Sequence, residues 1–316
     1  MKDELSAIVP FLNESECIEK FCCHIDYVAS VLPCKLEVVF IDDGSTDDTI
    51  EKISCYKFKY CTRVRTVVLS KNYGSHAAIR AGIQNSSYEN VVFLCADLQE
   101  PDDMIPKAYE QLKKGYDAVY IEKASIKIGK LERGFSKMYS WLMRKYAVKD
   151  YSSGGTNNIM FNYKIKHFLN QHIESNSSIH LQIIDSGFRH ITLKMAYNAR
   201  EDGVSKWTLS KKIKLFIDSF VAFSFMPIRL VSIIGLLMFI AGGAFGLFVI
   251  LHKLFNPHSV AIGYSTLASL LSMGFGVTNI SLGIIAEYLW RAYDAARNRP
   301  TFIVSEIQDI KSENEK

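Results

Sequence analysis

LEVVFIDDGSTDDTI, residues 36–50, runs from an apolar stretch into four aspartates set around a Gly-Ser-Thr turn. A short apolar run closed by a polar turn is the pattern of a strand buried on both faces. It recurs in LSAIVP, RTVVLS, VVFLC and DAVYI, and segments of helical spacing lie between them at 14–31, 47–55, 75–84 and 102–113. Strands and helices alternating in this way give an α/β domain whose mostly parallel sheet is covered on both sides. In such sheets ligands bind beyond the carboxyl ends of the strands, which is where the acidic turn falls.

Other polar clusters occupy equivalent places: Asn13-Glu14-Ser15 after IVPFL, SKNYGSHAA (70–78) after VVL, and ADLQEPDD (96–103) after VVFLC. Ser45, Asp47 and Asp102 suit helix starts, and acidic residues favour a first helical turn, so Asp47 and Asp48 read equally well as capping or as binding residues. Asp42 and Asp43 stand before the turn, where capping does not require them. The sequence has no GxxxxGK[ST] loop, no GxGxxG after the first strand and no HExxH, which removes the glycine cradles and the zinc-protease helix from consideration. A carboxylate-rich crevice accommodates a diphosphate when a divalent cation bridges the two.

The chain has 316 residues and a formal net charge of +4, too small to argue for a nucleic-acid partner. Charge is instead absent from two stretches: residues 230–251 and 260–286 contain no Asp, Glu, Lys, Arg or His. Each is long enough to cross a hydrocarbon core of about 30 Å as a helix. Two buried core helices are the alternative. Lys206, Lys211, Lys212, Lys214 and Arg229 precede the first run and Arg291, Arg297 and Arg299 follow the second, whereas only Lys253 lies in the connection. The excess of positive charge at the outer ends places both termini in the cytoplasm.

MKDELSAIVPF is too acidic, and its apolar part too short, for a signal peptide. The expected organisation is a cytosolic α/β domain over 1–207, a juxtamembrane amphipathic helix over 208–227, two transmembrane helices within 228–290 and a cytosolic tail over 291–316. Leu209, Ile213, Phe216, Ile217 and Phe220 share one helical face, as in a helix lying in the membrane interface. Gly242 and Gly246 form a GxxxG that leaves homo-oligomerisation open. Seven cysteines without a CxxC pair read as reduced structural thiols.

IVPFLNE, FIDDGSTDDT, LSKNYGSHAAIRAGI, ADLQEPDDMI and GFRHITLKMAYNAREDGVSKW occur in the order of five motifs of the inverting family 2 glycosyltransferases. Together with the two apolar runs, the chain resembles the polyprenyl-phosphate glycosyltransferases of that family, such as the bactoprenol glucosyltransferases and dolichol-phosphate mannose synthase, over about residues 5–290. The resemblance implies a GT-A fold and transfer of a single sugar from a nucleotide-sugar, UDP-linked by preference, to a polyprenyl phosphate such as undecaprenyl phosphate at the cytoplasmic membrane face. It also implies roles for individual residues. Pro10, Asn13, Glu14, Asp42, Asp43, Asn72, Gly74 and Asp97 bind the nucleotide-sugar, Asp97 and Gln99 hold Mg2+ or Mn2+, and Arg200, Ser205 and Lys206 close near the phosphates. Asp97, Gln99, Arg200 and Lys206 form the expected catalytic set. Lys123, Lys127, Lys130 and Arg133 meet the acceptor phosphate, a solvated lysine-rich face being the alternative.

A lipid phosphate is already ionised at neutral pH, so such an acceptor needs positioning and desolvation more than a strong base. Two departures bear on this. Many relatives read DxDLQ where this chain has Cys95-Ala96-Asp97-Leu98-Gln99, and a thiol is a poor ligand for a hard cation, so weaker metal binding is expected. SSGGTNNIMFN, 152–162, replaces a GxxDF-like acidic motif and points to a different donor. The competing expectations are a catalytically silent membrane protein that binds sugar nucleotides, and a processive polysaccharide synthase. The latter needs more spans and a QxxRW-like motif.

Overall fold

The computed structural model describes residues 3–124, 130–146, 156–173, 178–197, 226–255, 264–297, 299–310 and 312. The chain divides into two units, Met1–Phe216 with Pro300–Lys316, and Ile217–Arg299. In the first unit β1 (Glu4–Phe11), α1 (Ile18–Val31), β2 (Lys35–Asp42), α2 (Thr49–Cys55), β3 (Arg63–Leu69), α3 (Ser75–Asn85), β4 (Asn90–Phe93), α4 (Met104–Lys113) and β5 (Ala118–Lys123) alternate as the spacing predicts. Then come α5 (Lys130–Tyr146), β6 (Thr156–Phe161), α6 (Tyr163–Gln171), α7 (Ile179–Asp185), β7 (His190–Met195) and, after the second unit, β8 (Val304–Ile310).

The strands form one sheet in the order β7-β5-β6-β4-β1-β2-β3-β8. β1, β2, β3 and β4 are parallel neighbours and β5 pairs parallel with β7, while β6 and β8 run antiparallel to the strands beside them. Alternation along β1 and β2 sorts side chains to the two faces. Leu5, Ala7, Val9, Phe11, Val38 and Phe40 join Ile18, Phe21 and Ile25 of α1 and Met104, Ile105 and Ala108 of α4 in one core cluster.

Ile8 and Ile41 face the other way, against α3. The helix comes so close that a Cβ added to Gly82 would stand 2.3 Å from Ile8 Cγ2 and 2.8 Å from Ile41 Cδ1. Gly82→Ala is therefore expected to cost about 1–3 kcal/mol through forced repacking. The thermal midpoint of the full chain in detergent should fall, and an unchanged midpoint would mean that α3 has room to shift.

The stretch 291–316, expected to be a tail, is not one. After the second unit the chain returns to the sheet as its edge strand, β8, whose Val67↔Ile307 register continues to Val64↔Ile310. Asp309 fixes that register, accepting from Arg65 Nε at 2.7 Å and Arg63 Nη2 at 2.9 Å. The Arg65 hydrogen bond, then that of Arg63, holds the Asp309 carboxyl down to about 2, despite some desolvation. The polar composition of VSEIQDI conceals a strand because burial on such an edge is slight.

The second unit is a pair of helices packed on one another, α8 (Met226–Phe255) and α9 (Tyr264–Ala296). They extend the expected spans 230–251 and 260–286 at most ends and expose large apolar side chains, Leu236 at 59%, Phe248 at 62% and Phe275 at 67%. Among the described residues no helix is long and apolar enough to cross a membrane. The side chains at 226–228, 239, 246, 249–250 and 253 of α8 lie outside the described set. The interfacial helix expected over 208–227 falls almost wholly outside the described residues.

Candidate functional site

The segments after β1, β2 and β3 are tied together by backbone groups that the acidic turn satisfies. Asn13 sits at φ 51, a left-handed conformation that asparagine tolerates better than most residues. Its amide oxygen accepts from Thr46 N at 2.8 Å, and its own N–H donates to Ser45 Oγ at 2.9 Å. Asp42 accepts from Ser45 N at 2.8 Å, closing the turn on itself. Asp43 accepts from Tyr73 N at 2.7 Å with one oxygen and from Gly74 N at 2.9 Å with the other. Burial raises the Asp43 carboxyl, and these two donors oppose the rise.

Asp42 and Asp43 are only 1% and 5% exposed, and the bonds they accept hold the loops after β2 and β3. Gly44 lets those loops touch. It has φ +83, and a Cβ there would stand 2.9 Å from Asn72 N. Asp47 and Asp48 act locally: Asp47 accepts from Thr49 Oγ1 at 2.6 Å and Ser15 N at 3.2 Å, and Asp48 accepts from Ser15 Oγ. Asp47 also accepts from Thr49 N at 3.2 Å, so both aspartates tie the start of α2 and the Ser15 turn together, and Asp48 makes no side-chain cap bond to α2. Pro10 is half-buried within β1 beside Ile41, and Glu14 begins the turn into α1, accepting from Ile18 N at 3.0 Å.

The loop after β4 lies beside this cluster, because Cys17 Sγ approaches Ala96 O at 3.3 Å and Glu14 Oε2 at 3.5 Å. Within the loop the Cys95 sulfur and the carboxylate oxygens of Asp97 and Glu100 all lie within 4.8 Å of one another. Burial first, then the carboxylates of Glu100 and Asp97, push the Cys95 thiol well above its usual value. Cys95 is therefore a neutral neighbour at physiological pH and a weak donor to a hard cation. Asp97 contributes carboxylate oxygens of the kind Mg2+ and Mn2+ take, and one carboxylate suffices when a diphosphate and waters complete the shell. The donor set fits such a cation through Asp97.

Gln99, expected to be a second ligand, uses its side-chain oxygen otherwise. Gln99 Oε1 accepts from Lys123 Nζ at 2.9 Å, and the same ammonium stands over the Tyr197 ring, 4.7 Å from its centroid. Lys123, expected to meet the acceptor phosphate, is thus anchored at the edge of the loop that carries Asp97. Lys130 and Arg133 lie on α5, with side chains outside the described set; Lys127, Arg200, Ser205 and Lys206 lie outside the described residues altogether. Sequence reasoning gave no role to Glu100, Asn158 or Tyr197. All three are hydrogen-bonded into this region, and the only prior signal was that they fall within the quoted segments.

His76, at the start of α3, carries none of this chemistry. Its ring lies 5.8 Å from that of His180, and burial first, then His180 and Arg80, hold its pKa down to about 4. An unfolded imidazole near 6.5 takes up protons earlier as pH falls, so stability present above about pH 6.5 is lost progressively toward pH 4. His76→Gln is expected to remove on the order of 2 kcal/mol of that pH dependence. Thermal midpoints between pH 4 and 7 measure it, and an unchanged slope would contradict the assignment.

The model of the family described as Glycosyl transferase family 2 matches residues 6–189. The undecaprenyl-phosphate 4-deoxy-4-formamido-L-arabinose transferase of Klebsiella pneumoniae (strain 342) is 28% identical over 308 residues, covering 96% of this chain and 93% of its own. The protein of the same name from Proteus mirabilis (strain HI4320) is 27% identical over 316 residues, covering 99% and 96%. Among solved structures, the mannosyltransferase PcManGT from Pyrobaculum calidifontis, in complex with GDP-Man and Mn2+, aligns with a TM-score of 0.48 at 16% identity, covering 95% of this chain and 78% of that one.

Proposed function

The chain belongs to glycosyl transferase family 2, and on that premise we propose that it moves one sugar from a nucleotide-sugar to a polyprenyl phosphate. The acceptor is of the undecaprenyl-phosphate kind for which the Klebsiella and Proteus relatives are named. The observation that carries this is the placement of Lys123, whose ammonium lies 2.9 Å from Gln99 on the loop of Asp97. A carboxylate suited to a cation and an ammonium beside it equip one crevice for two anions, the donor diphosphate and the acceptor phosphate.

In the reaction an acceptor phosphate oxygen forms a bond to the anomeric carbon as the bond from that carbon to the nucleoside diphosphate breaks. The configuration inverts, and no proton has to be removed from the nucleophile. Mg2+ or Mn2+ at Asp97 would supply charge stabilisation for the departing diphosphate. Asn13, Asp42, Asp43, Asn72 and Gly74 shape the wall for the nucleotide, Lys123 orients the acceptor phosphate, and Arg200 and Lys206, outside the described residues, are the further cations assigned to the diphosphate. A UDP-sugar is the donor of first choice.

The same reading takes α8 and α9 as a membrane hairpin. At a rise of about 1.5 Å per residue, helices of 30 and 33 residues exceed a hydrocarbon core of about 30 Å. Apolar side chains as exposed as those of this unit are at home in lipid and costly in water. Trp290 and Tyr293, and Arg291 paired with Glu287 at 3.0 Å, mark the polar end of α9. Residues on both sides of the hairpin belong to one sheet, so an even number of crossings is required, with domain 1–207 and the C-terminal strand on the cytoplasmic side.

Acceptor chemistry tests the proposal. Membranes containing the protein are supplied with labelled donor and either a polyprenyl phosphate or the corresponding polyprenol. Transfer to the phosphate alone is expected, and equal transfer to the alcohol would reject the phosphate nucleophile.

A further inference from the structure

Tyr197 follows β7, the last described strand before the chain runs on toward α8. Its hydroxyl donates to Asn158 Oδ1 at 2.8 Å. Asn158, on β6 and 0% exposed, spends its amide hydrogens on Phe93 O at 2.8 Å and Glu100 Oε1 at 2.9 Å. Glu100 Oε1 in turn accepts from Cys95 N at 2.9 Å. One path thus leads from the Tyr197 hydroxyl through Asn158 to Glu100, which holds the two ends of the Cys95–Glu100 loop together. The second leads from the Tyr197 ring through the Lys123 ammonium above it to Gln99.

The loop needs this support. Leu98 is held at φ 55, a left-handed conformation that costs a bulky residue on the order of 1–3 kcal/mol unless its surroundings fix it. Asp97 stands beside Leu98, so the position of its carboxylate depends on whether that conformation is kept. Gln99 N donates to Asp97 Oδ1 at 3.4 Å, beyond the usual range for such a bond.

We infer that Tyr197 and Asn158 are positioning residues that set the geometry of the Asp97 loop, and through it the affinity for the divalent cation, from the strand that leads on toward the helical unit. The inference rests on the reading of Asp97 as the cation-binding residue. Glu100 then belongs to the support: its hydrogen-bonded oxygen faces Cys95 and Asn158, and its task is that of an acceptor.

The test is Mn2+ binding to the purified full-length protein, followed by the electron paramagnetic resonance signal of free Mn2+ and therefore independent of turnover. Tyr197→Phe keeps the ring under Lys123 and removes only the hydroxyl path; Asn158→Ala removes its centre. Each is expected to raise the Mn2+ dissociation constant about 5- to 10-fold, the size of one or two lost buried hydrogen bonds. Glu100→Gln keeps the accepting oxygen and should stay within about twofold of the parent on the same grounds. Asn162→Ala breaks a comparable 2.8 Å bond, to Asp117, at the other end of β6, and should leave Mn2+ binding unchanged, which separates positioning from general loosening.

Parent-like binding by Tyr197→Phe and folded Asn158→Ala, with binding lost in Asp97→Ala, would overturn the inference and leave the functional reading intact. A large loss in Glu100→Gln with none in Tyr197→Phe would make Glu100 a ligand and also overturn it. Unchanged binding in Asp97→Ala would remove the cation from this loop, and the functional reading and the inference would fall together.

Discussion

Asp97→Ala is expected to lower sugar transfer by about 10³-fold or more, because in the proposed function Asp97 is the charged ligand of the cation that would stabilise the departing diphosphate. In relatives with two carboxylates, losing one leaves the other. Here the companion position is Cys95, a thiol kept neutral by burial and by its acidic neighbours. The loss should therefore appear as a collapse of Mn2+ or Mg2+ activation that added metal does not restore. Initial rates against metal concentration measure it. A variant that regains parental rates at high metal would show that Glu100 or Cys95 can carry the cation.

Lys123→Met is expected to have the second-largest effect, about 10²-fold, as for the removal of one positioned donor facing developing or bound charge. Its ammonium is anchored at Gln99 and over the Tyr197 ring, so it is held in place before any ligand arrives. If it orients the acceptor phosphate, the change falls mainly on the KM for polyprenyl phosphate, and Lys123→Arg recovers part of it. If the lysine serves only to latch Gln99, the loss falls on metal activation and the acceptor KM does not move. Separate titrations of acceptor and metal distinguish the two outcomes.

The strands that position the site are easy to recognise in the sequence for a physical reason. β1, β2, β3 and β4 lie inside a parallel sheet, and burial on both faces makes their sequences continuously apolar. β7 and β8 are the two edges of the sheet and HITLKM and VSEIQDI lack such a run, whereas β6 is an interior strand buried from Asn158 to Phe161 whose opening Thr-Asn-Asn breaks the apolar pattern. β8 is also far from its partner in sequence. No local pattern announces that Asp309 meets Arg63 and Arg65.

The site was legible in its carboxylates and less so in how they are used. FIDDGSTDDTI is identifiable as the turn from a buried strand into a helix, yet Asp43 spends both oxygens on the backbone of the Tyr73–Gly74 loop, a pairing set by the three-dimensional return of β3. Gln99 reads as a ligand by motif and is turned to Lys123 by the arrival of β5. Glu100, Asn158 and Tyr197 come from three separate segments, and their connection exists only once β4, β6 and β7 are placed in one sheet. Local motifs mark single segments, whereas contacts between segments depend on topology.

The decisive measurement is mass spectrometry of the lipid product made by the purified protein in a bilayer, supplied with undecaprenyl phosphate, Mn2+ and a panel of UDP- and GDP-sugars in turn. The expected product is undecaprenyl phosphate heavier by a single sugar residue, formed with one donor and missing with Asp97→Ala. Folded protein that yields no sugar-bearing lipid with any donor, or a lipid carrying a growing chain of sugars, would contradict single-sugar transfer.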